Sequence, residues 1–145
     1  MKPIVYLDIC CFNRPYDDQL QPLIRVETEA KLLIQSEVIK ENLDLVWSFI
    51  HHYENKDNPF MDRRNQIALW ESQAKKIIIF DSEIFAHSQK IMKFGIKPKD
   101  ALHLACAIAS NADFFITTDK KLLNKQIDKI TIINPMEFIR RYYND

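Results

Sequence analysis

The sequence contains almost no glycine and no long apolar run, and each absence excludes a class of protein. Gly95 is the only glycine, so a glycine-rich phosphate-binding loop is excluded. No apolar run reaches the ~18 residues that a transmembrane helix needs. We therefore expect neither a phosphate-loop enzyme nor a membrane-spanning protein.

The chain also lacks an excess charge of either sign and a disulfide pattern. Its 20 basic and 20 acidic residues give a formal net charge of +0, which argues against a protein that coats nucleic acid by bulk charge. The three cysteines, Cys10, Cys11 and Cys106, are odd in number and show no zinc-site spacing, so we predict free thiols buried as small apolar groups. A strand-like run opens the sequence without a secretory leader, which favours a reducing cytoplasm.

The composition is that of a globular protein. The chain has 145 residues, of which 47% are hydrophobic and 28% are charged. This is enough apolar material for one core, and we predict a single domain over residues 1–145.

Short apolar runs alternate with helical patterns along the whole chain. Ser48 and Ser82 are candidate N-caps, Gly95 and Asn111 mark helix ends, and residues 10–22 read as a loop because Pro15 and Pro22 interrupt them. The predicted strands are 4–7, 43–48, 77–80, 114–117 and 130–133, and the predicted helices are 23–39, 49–55, 63–76, 83–94, 100–110, 120–126 and a last one from 135. This order predicts an α/β fold: a three-layer α/β/α sandwich with a central, mainly parallel sheet of about five strands.

Two of the predicted strands end on aspartates. Asp8 follows "IVYL" and Asp119 follows "FFITT". Ligands of parallel sheets bind beyond the carboxyl ends of the strands, where strand order reverses, so these two carboxylates should meet at one edge. Asp100 opens a nearly wholly apolar helix and Glu54 lies one to two turns into the helix after the second strand. Both positions are suited to the same edge.

Four segments together resemble the PIN domain, a family of small metal-dependent nucleases that includes the VapC-type toxins. They are "IVYLD", "SFIHHYEN", "KPKDALHLACAIASNADFFITTD" and "ITIINPMEF", and they span essentially the whole chain. The resemblance implies that Asp8, Glu54, Asp100 and Asp119 are catalytic, metal-binding acids and that Thr117 supplies a catalytic hydroxyl. Ile9 stands where the family usually has threonine or serine, and the alternatives to Glu54 are Glu27, Glu29 and Asp57.

The resemblance also implies an activity and partners. We expect an endoribonuclease that depends on Mg²⁺ (or Mn²⁺), works as a homodimer and forms the toxin of a type II toxin–antitoxin pair with an antitoxin protein. Two like charges ~4 Å apart repel by ~4 kcal/mol at an effective dielectric of ~20, which a cation would relieve, and oxygen ligands favour Mg²⁺ or Mn²⁺ over zinc. Predicted substrate contacts are Arg14 and Lys120, with Lys97, Lys99 and Lys121 for phosphates and Tyr16 or Phe12 for base stacking.

Two other functions remain open at this point. Ile9 after Asp8 motivates a catalytically weak PIN-fold module that binds RNA or protein. A phosphotransfer domain would use one strand-end aspartate, but "LDICC" lacks a second acid two residues after Asp8.

Each candidate residue also has a plain structural interpretation. Asp100 and Asp119 are each compatible with a simple helix cap, and Glu54 with a solvated helix residue. Structural roles are expected for His51, His52, the core residue His103 and the strand-start residue Asp113, and solvation for Arg63, Arg64 and the tail 140–145.

Overall fold

The structure is a computed structural model that describes residues 2–144, in which five strands alternate with eight α-helices. The strands are β1 Ile4–Leu7, β2 Asp44–Ser48, β3 Lys76–Ile78, β4 Phe114–Ile116 and β5 Thr131–Ile133. The helices are α1 Ile9–Asn13, α2 Pro22–Ile39, α3 Phe49–Lys56, α4 Met61–Ala68, α5 Ser82–Met92, α6 Pro98–Ala109, α7 Lys120–Leu123 and α8 Pro135–Asn144. Short 3₁₀ helices cover Arg14–Tyr16 and Leu69–Gln73. Within residues 2–144, none of the helices is both long and apolar enough to cross a membrane.

The sheet is parallel throughout, with the strand order β3-β2-β1-β4-β5. Val5 at the centre of the sheet lies opposite Leu45 on one side and Phe114 on the other. The chain runs from β1 outward to β2 and β3, then returns across the sheet to β4. Strand order therefore reverses between β1 and β4, which is where this architecture binds its ligands.

Alternating side chains of β1 face two separate cores. Tyr6 packs in a cluster that includes Ile84 of α5 and Leu104 of α6. Its neighbours Val5 and Leu7 pack in a second cluster, built with side chains of α1, α2, α4 and α8. A strand presents successive residues to opposite faces, so both faces of the sheet are covered and the predicted three-layer α/β/α sandwich is confirmed.

Several predicted boundaries are also confirmed. The Ser48 side chain caps α3, Gly95 with φ of 81° lies just beyond α5, and Asn111 with φ of 60° lies just beyond α6. Asp113 has the expected role at the start of β4, where its carboxylate accepts a hydrogen bond of 2.8 Å from the backbone N–H of Ile4.

The predicted loop over residues 10–22 is partly wrong. Helix α1 begins at Ile9, immediately after Asp8, whose side chain caps it. Five residues are too few to show a helical period, so only the cap could have signalled this helix.

Three other local predictions need correction. The helix predicted over 63–76 ends at Ala68 and continues only as 3₁₀ turns to Gln73. Asp81, rather than Ser82, caps α5 by accepting a hydrogen bond of 2.8 Å from the backbone N–H of Ile84. Residues 140–144 are mostly exposed, as expected, but they continue the helix α8, in which Tyr142 and Tyr143 donate hydrogen bonds to Glu37; residue 145 lies outside the described residues.

Candidate active site

Asp8 lies at the carboxyl end of the central strand and is only 4% exposed. Its Oδ2 accepts a hydrogen bond of 2.7 Å from the Thr117 hydroxyl, and its Oδ1 accepts one of 2.8 Å from the backbone N–H of Ile9. Hydrogen bonds to an ionised carboxylate are the stronger kind. Although Ile9 has no hydroxyl of its own, Asp8 is therefore held in place by two donors.

Thr117 connects the ends of β1 and β4. Its buried hydroxyl donates to Asp8 and accepts a hydrogen bond of 3.1 Å from the backbone N–H of Asp119. Asp119 caps the short helix α7 through a hydrogen bond of 2.9 Å from the N–H of Lys121 to its Oδ1. The cap interpretation of Asp119 is thus confirmed, although its Oδ2 makes no hydrogen bond within residues 2–144.

Asp100 is the third residue of α6 and does not cap it, because Lys97 holds the cap position and Pro98 begins the helix. The Asp100 carboxyl makes no hydrogen bond to any described residue. Burial, followed by repulsion from Asp8 and Asp119, raises the pKa of Asp100 from 3.8 to about 6. A helix N-terminus favours an ionised acid by only ~0.3–1 kcal/mol, less than the ~1.4 kcal/mol of a single pKa unit, so burial and repulsion prevail.

His103 joins Glu54 to Asp8. The ring is fully buried on α6, and its Nε2 is hydrogen-bonded to Glu54 Oε1 and lies 4.0 Å from Asp8 Oδ1. The expected hydrogen-bonded core histidine is confirmed, but the position of His103 at the site was not predicted. The spacing of three between Asp100 and His103, which puts both on one helix face, was the available signal.

A buried chain of polar groups continues from His103 into the core. Its Nδ1 is 2.6 Å from the Tyr6 hydroxyl, which is 2.7 Å from the Ser48 hydroxyl. His51 follows, with Nε2–H donating to the carbonyl of Leu7 at 2.6 Å. Burial, with the charge of His103 as the second cause, lowers the pKa of His51 well below its ordinary value. His51 is therefore a neutral structural residue, as expected, while His52 is exposed.

The alternatives to Glu54 lie elsewhere. Glu27 is bound by Arg14 at 2.9 Å, Glu29 is exposed on α2, and Asp57 is exposed after the last turn of α3. Of these four acids, only Glu54 contacts His103 and contributes to the raised pKa of Asp100.

The oxygen chemistry of the four acids suits a divalent cation better than their spatial arrangement does. Carboxylate oxygens are the ligands that Mg²⁺ and Mn²⁺ prefer, and burial, together with the charges of Asp8 and Asp119, raises the pKa of Asp100. Across the described residues 2–144, however, no group of three or more His, Cys, Asp or Glu side chains is arranged to hold a metal ion. Asp8 and Glu54 instead accept hydrogen bonds from protein donors.

Two hollows flank the acids. The aromatic hollow, of about 330 Å³, lies beside Glu54 and is lined by Asn13, Tyr16, Asn55, Asp57, Phe60 and Arg63 among others. The lysine hollow, of about 130 Å³, lies beside Asp100 and Asp119 and is lined by Lys97, Lys121 and Lys125 among others.

Some of the predicted substrate contacts line these two hollows, and others lie elsewhere. Lys97 and Lys121 line the lysine hollow, while Lys120 is exposed at the start of α7. Arg14 is bound by Glu27 and by Asp17, at 2.9 and 2.8 Å. The roles of Arg14 and Lys120 stay predictions.

The structure corrects the predicted stacking role of Phe12 and the predicted solvation of Arg63 and Arg64. Phe12 is 1% exposed within the core, so it is not available to stack on a base, whereas Tyr16 lines the aromatic hollow. Arg63 and Arg64 are half-buried rather than solvated: Arg63 lies over the Phe60 ring, and Arg64 donates to the carbonyl of Asn58 at 3.1 Å.

The cysteines are free, as predicted, but they differ in environment. Cys11 and Cys106 are buried, whereas Cys10 is half-buried with its Sγ 3.5 Å from Asp8 Oδ2.

Comparison with known proteins agrees with this fold. A sequence model of the PIN domain matches residues 5–128. A chain in the crystal structure of VapBC2 from Rickettsia felis, bound to a DNA fragment from their promoter, superposes with a TM-score of 0.58 at 18% identity, covering 90% of this chain and 98% of that one. No curated protein matches the sequence. At such low identity the structural match shows the shared fold alone.

Proposed function

Because this chain belongs to the PIN domain family, whose members are generally nucleases, we propose that it is an endoribonuclease that hydrolyses RNA phosphodiesters with Mg²⁺ (or Mn²⁺). We further propose that it acts in the cytoplasm as the toxin of a type II toxin–antitoxin pair. The observation that carries the proposal is the carboxyl of Asp100, half-buried among acids without a hydrogen-bond partner in residues 2–144. A half-buried carboxyl without a hydrogen-bond partner does not stabilise the fold, whereas a cation-binding site requires such a group.

The proposed site separates the residues that bind the metal ion from the groups that position them. Asp8, Glu54, Asp100 and Asp119 would hold the ion, which when bound supplies Lewis-acid activation of a water and stabilises charge on the phosphodiester. Thr117 and the N–H of Ile9 would hold Asp8 in place, because both donate to its carboxylate. No side-chain nucleophile is required.

The basic side chains of the lysine hollow would hold the phosphate. Lys97 and Lys121 line the same hollow as Asp100 and Asp119, so a phosphate bound by them would lie next to the acids. Contacts of lysine with phosphate supply affinity without reading sequence.

RNA cleavage tests the proposal directly. Single-stranded RNA is incubated with wild type, Asp8→Asn and Asp100→Asn in the presence of Mg²⁺, with the exposed Asp128→Asn as the matched control. We expect cleavage by wild type and Asp128→Asn and a loss of about a thousandfold in the two site variants, since an interaction of several kcal/mol is removed. Equal cleavage by all four proteins would contradict the assignment.

A second function is favoured by one observation. Asp8 and Glu54 already accept hydrogen bonds from Ile9, Thr117 and His103, as expected if the fold serves as a module that binds RNA or protein without strong catalysis. Calorimetry with Mn²⁺ separates the two, because a catalytic site should bind the ion. RNA binding that is tight and indifferent to the ion would favour the module.

The proposed partners have support from the surface. The Rickettsia felis structure is described as VapBC2, and this chain exposes apolar side chains on α2 and beside the edge strand β3, including Leu32, Ile39, Ile77 and Ile79. We propose that a second copy and an antitoxin cover such surfaces. Light scattering of the chain, expressed alone and with the product of the adjacent gene, would show a dimer and a larger complex respectively; a monomer in both samples would contradict both partners.

A further inference from the structure

The aromatic hollow beside Glu54 is unsuited to a phosphate. Its wall carries Asp17, Glu54 and Asp57, and Arg63 is the only basic residue among its described lining residues. A phosphate would be repelled by these carboxylates. The volume of about 330 Å³ lies at the lower end of the ~300–1,000 Å³ of sites for small organic molecules, so an uncharged ring system fits better.

Arg63 and two aromatic rings form a surface for stacking. The Arg63 guanidinium carbon lies 3.9 Å from the centre of the Phe60 ring and 5.2 Å from that of Tyr16. Across residues 2–144 the guanidinium makes no hydrogen bond or ion pair, so its N–H donors remain free. Both rings are exposed, and planar cations and aromatic rings are the groups on which unpaired bases stack.

Asn55, another lining residue of the hollow, has an unpaired polar atom that is buried beneath the wall. Its side chain is buried, with the residue 5% exposed, and its Nδ2 donates to the carbonyl of Arg64 at 2.9 Å, which fixes the orientation of the amide. Its Oδ1 has no hydrogen-bond partner among the described residues. A buried acceptor without a donor is rare in proteins, and a ligand that brings an N–H group would satisfy it.

We propose that the aromatic hollow binds one unstacked base of the RNA and prefers a base with an exocyclic amino group. Asn55 Oδ1 and the Asp57 carboxylate are two acceptors, which the two N–H donors of an exocyclic amino group of adenine, cytosine or guanine can match, whereas uracil offers only its single ring N3–H. The inference rests on the proposed function, because the base is part of the RNA substrate.

The location gives this base a role in choosing the bond that is cut. Glu54 belongs both to the wall of the hollow and to the acid cluster, and Ile9, also in the wall, follows Asp8. A base held here would place a neighbouring phosphodiester beside the acids. The cleavage position would then follow the base in the hollow, while the lysines on the other side contribute affinity alone.

The test measures base binding separately from cleavage. CMP and UMP, which differ in the 4-amino against 4-keto group and in the proton on N3, are titrated by NMR into the protein in EDTA, for wild type, Arg63→Ala and Phe60→Leu. Arg141→Ala is the control, since it removes a positive charge from α8 that does not line the hollow. We expect CMP to bind more tightly than UMP and its dissociation constant to rise about tenfold in both hollow variants, with no change in the control.

The outcomes separate this inference from the ribonuclease proposal. Equal affinities for CMP and UMP, or unchanged CMP binding in Arg63→Ala, would overturn the base site even if wild type cleaves RNA in Mg²⁺. Selective CMP binding that Arg63→Ala abolishes, in a protein that cleaves no RNA, would support the base site and overturn the ribonuclease proposal. If both hold, Arg63→Ala should also blur the pattern of cleavage positions.

Discussion

The two hollows beside the four acids Asp8, Glu54, Asp100 and Asp119 differ in their aromatic content and in their number of basic side chains. The aromatic hollow combines rings, amides and carboxylates with a single arginine, while the lysine hollow combines three lysines with Asp100 and Asp119. The first therefore suits a base and the second suits a phosphate. A strand of RNA lying across the site would use both at once, with its backbone between them.

The acids show the same contrast. On the aromatic side, Asp8 and Glu54 are bound by Thr117, the Ile9 N–H and His103. On the lysine side, Asp100 has no hydrogen bond in residues 2–144 and a raised pKa of about 6. Asp8 and Glu54, one half of the cluster, are fixed by the protein itself. In the other half, Asp119 caps α7, but Asp100 is left with charge that a cation or a proton can relieve.

The largest expected effect comes from removing the residue that fixes the first half. His103→Ala deletes a fully buried ring, removes one of the two hydrogen-bond partners of the Tyr6 hydroxyl and leaves Glu54 without its partner. We expect a loss of about 3–5 kcal/mol in the free energy of unfolding, measured by urea denaturation. His52→Ala makes the same chemical change at an exposed position and should cost less than about 0.5 kcal/mol; similar losses in both variants would show that His103 does not hold the site together.

Thr117→Val should have the next largest effect. The change keeps the shape of the side chain but removes the donor to Asp8 Oδ2 and the acceptor of the Asp119 N–H. We expect a loss of about 1–3 kcal/mol in stability and a lower rate of RNA cleavage, both restored by Thr117→Ser. Thr118→Val is the matched control, and a Thr117→Val protein with unchanged stability would mean that Asp8 is fixed without this hydroxyl.

Asp100→Asn should raise the stability of the folded protein rather than lower it, and its effect should be smaller than those of the two changes above. Because the pKa of Asp100 is raised from 3.8 to about 6, the folded state binds this proton more tightly than the unfolded chain does. The resulting stability is complete below pH 3.8 and is lost as the pH rises through about 6. Replacing the ionised acid by a neutral amide should therefore raise the melting temperature by a few degrees at pH 7.5 and have little effect near pH 3.5.

Thermal unfolding of wild type and Asp100→Asn at both pH values checks this sign. The exposed Asp128→Asn serves as the control and should show no such pH-dependent gain. A lower melting temperature for Asp100→Asn at pH 7.5 would mean that the folded protein stabilises the ionised carboxylate, and the contrast between the two halves of the cluster would disappear.

Sequence reasoning was successful where the signal was local. The runs before Asp8 and Asp119 predicted parallel strands whose carboxyl ends meet at one edge of the sheet, and the structure pairs β1 with β4. Thr117 was assigned by resemblance to the family, and it contacts Asp8. The first prediction depended on short local patterns and on a fold rule that applies to any parallel sheet, whereas the second depended on the resemblance to the family.

The failures concern contacts between distant segments. Phe12 is an aromatic residue in a predicted loop, and only the packing of α1 against the sheet shows that it is buried. Arg63 lies on a polar helix, and its stacking against Tyr16 depends on where the 3₁₀ turn at Arg14–Tyr16 places that ring. Nothing in the local sequence of either residue specifies its partners, which is why the aromatic hollow was not predicted.

The smallest predicted effect concerns RNA binding by the lysine hollow. It distinguishes the two hollows by how the affinity for RNA changes with salt concentration. Lys97 and Lys121 line this hollow, and neither ammonium group makes a hydrogen bond within residues 2–144. If each holds one phosphate, Lys97→Ala and Lys121→Ala should each reduce the slope of log K against log salt for single-stranded RNA by about 0.7. Lys40→Ala, exposed at the far end of α2, should leave the slope unchanged.

The same titration with Arg63→Ala sharpens the comparison. Stacking releases few counterions, so this variant should weaken binding at every salt concentration while keeping the wild-type slope. An equal change of slope for Arg63→Ala and Lys121→Ala would mean that both hollows hold phosphate, and the base would have to be read somewhere else. Parallel lines for Arg63→Ala and a shallower line for Lys121→Ala would instead assign the base to one side of the acids and the backbone to the other.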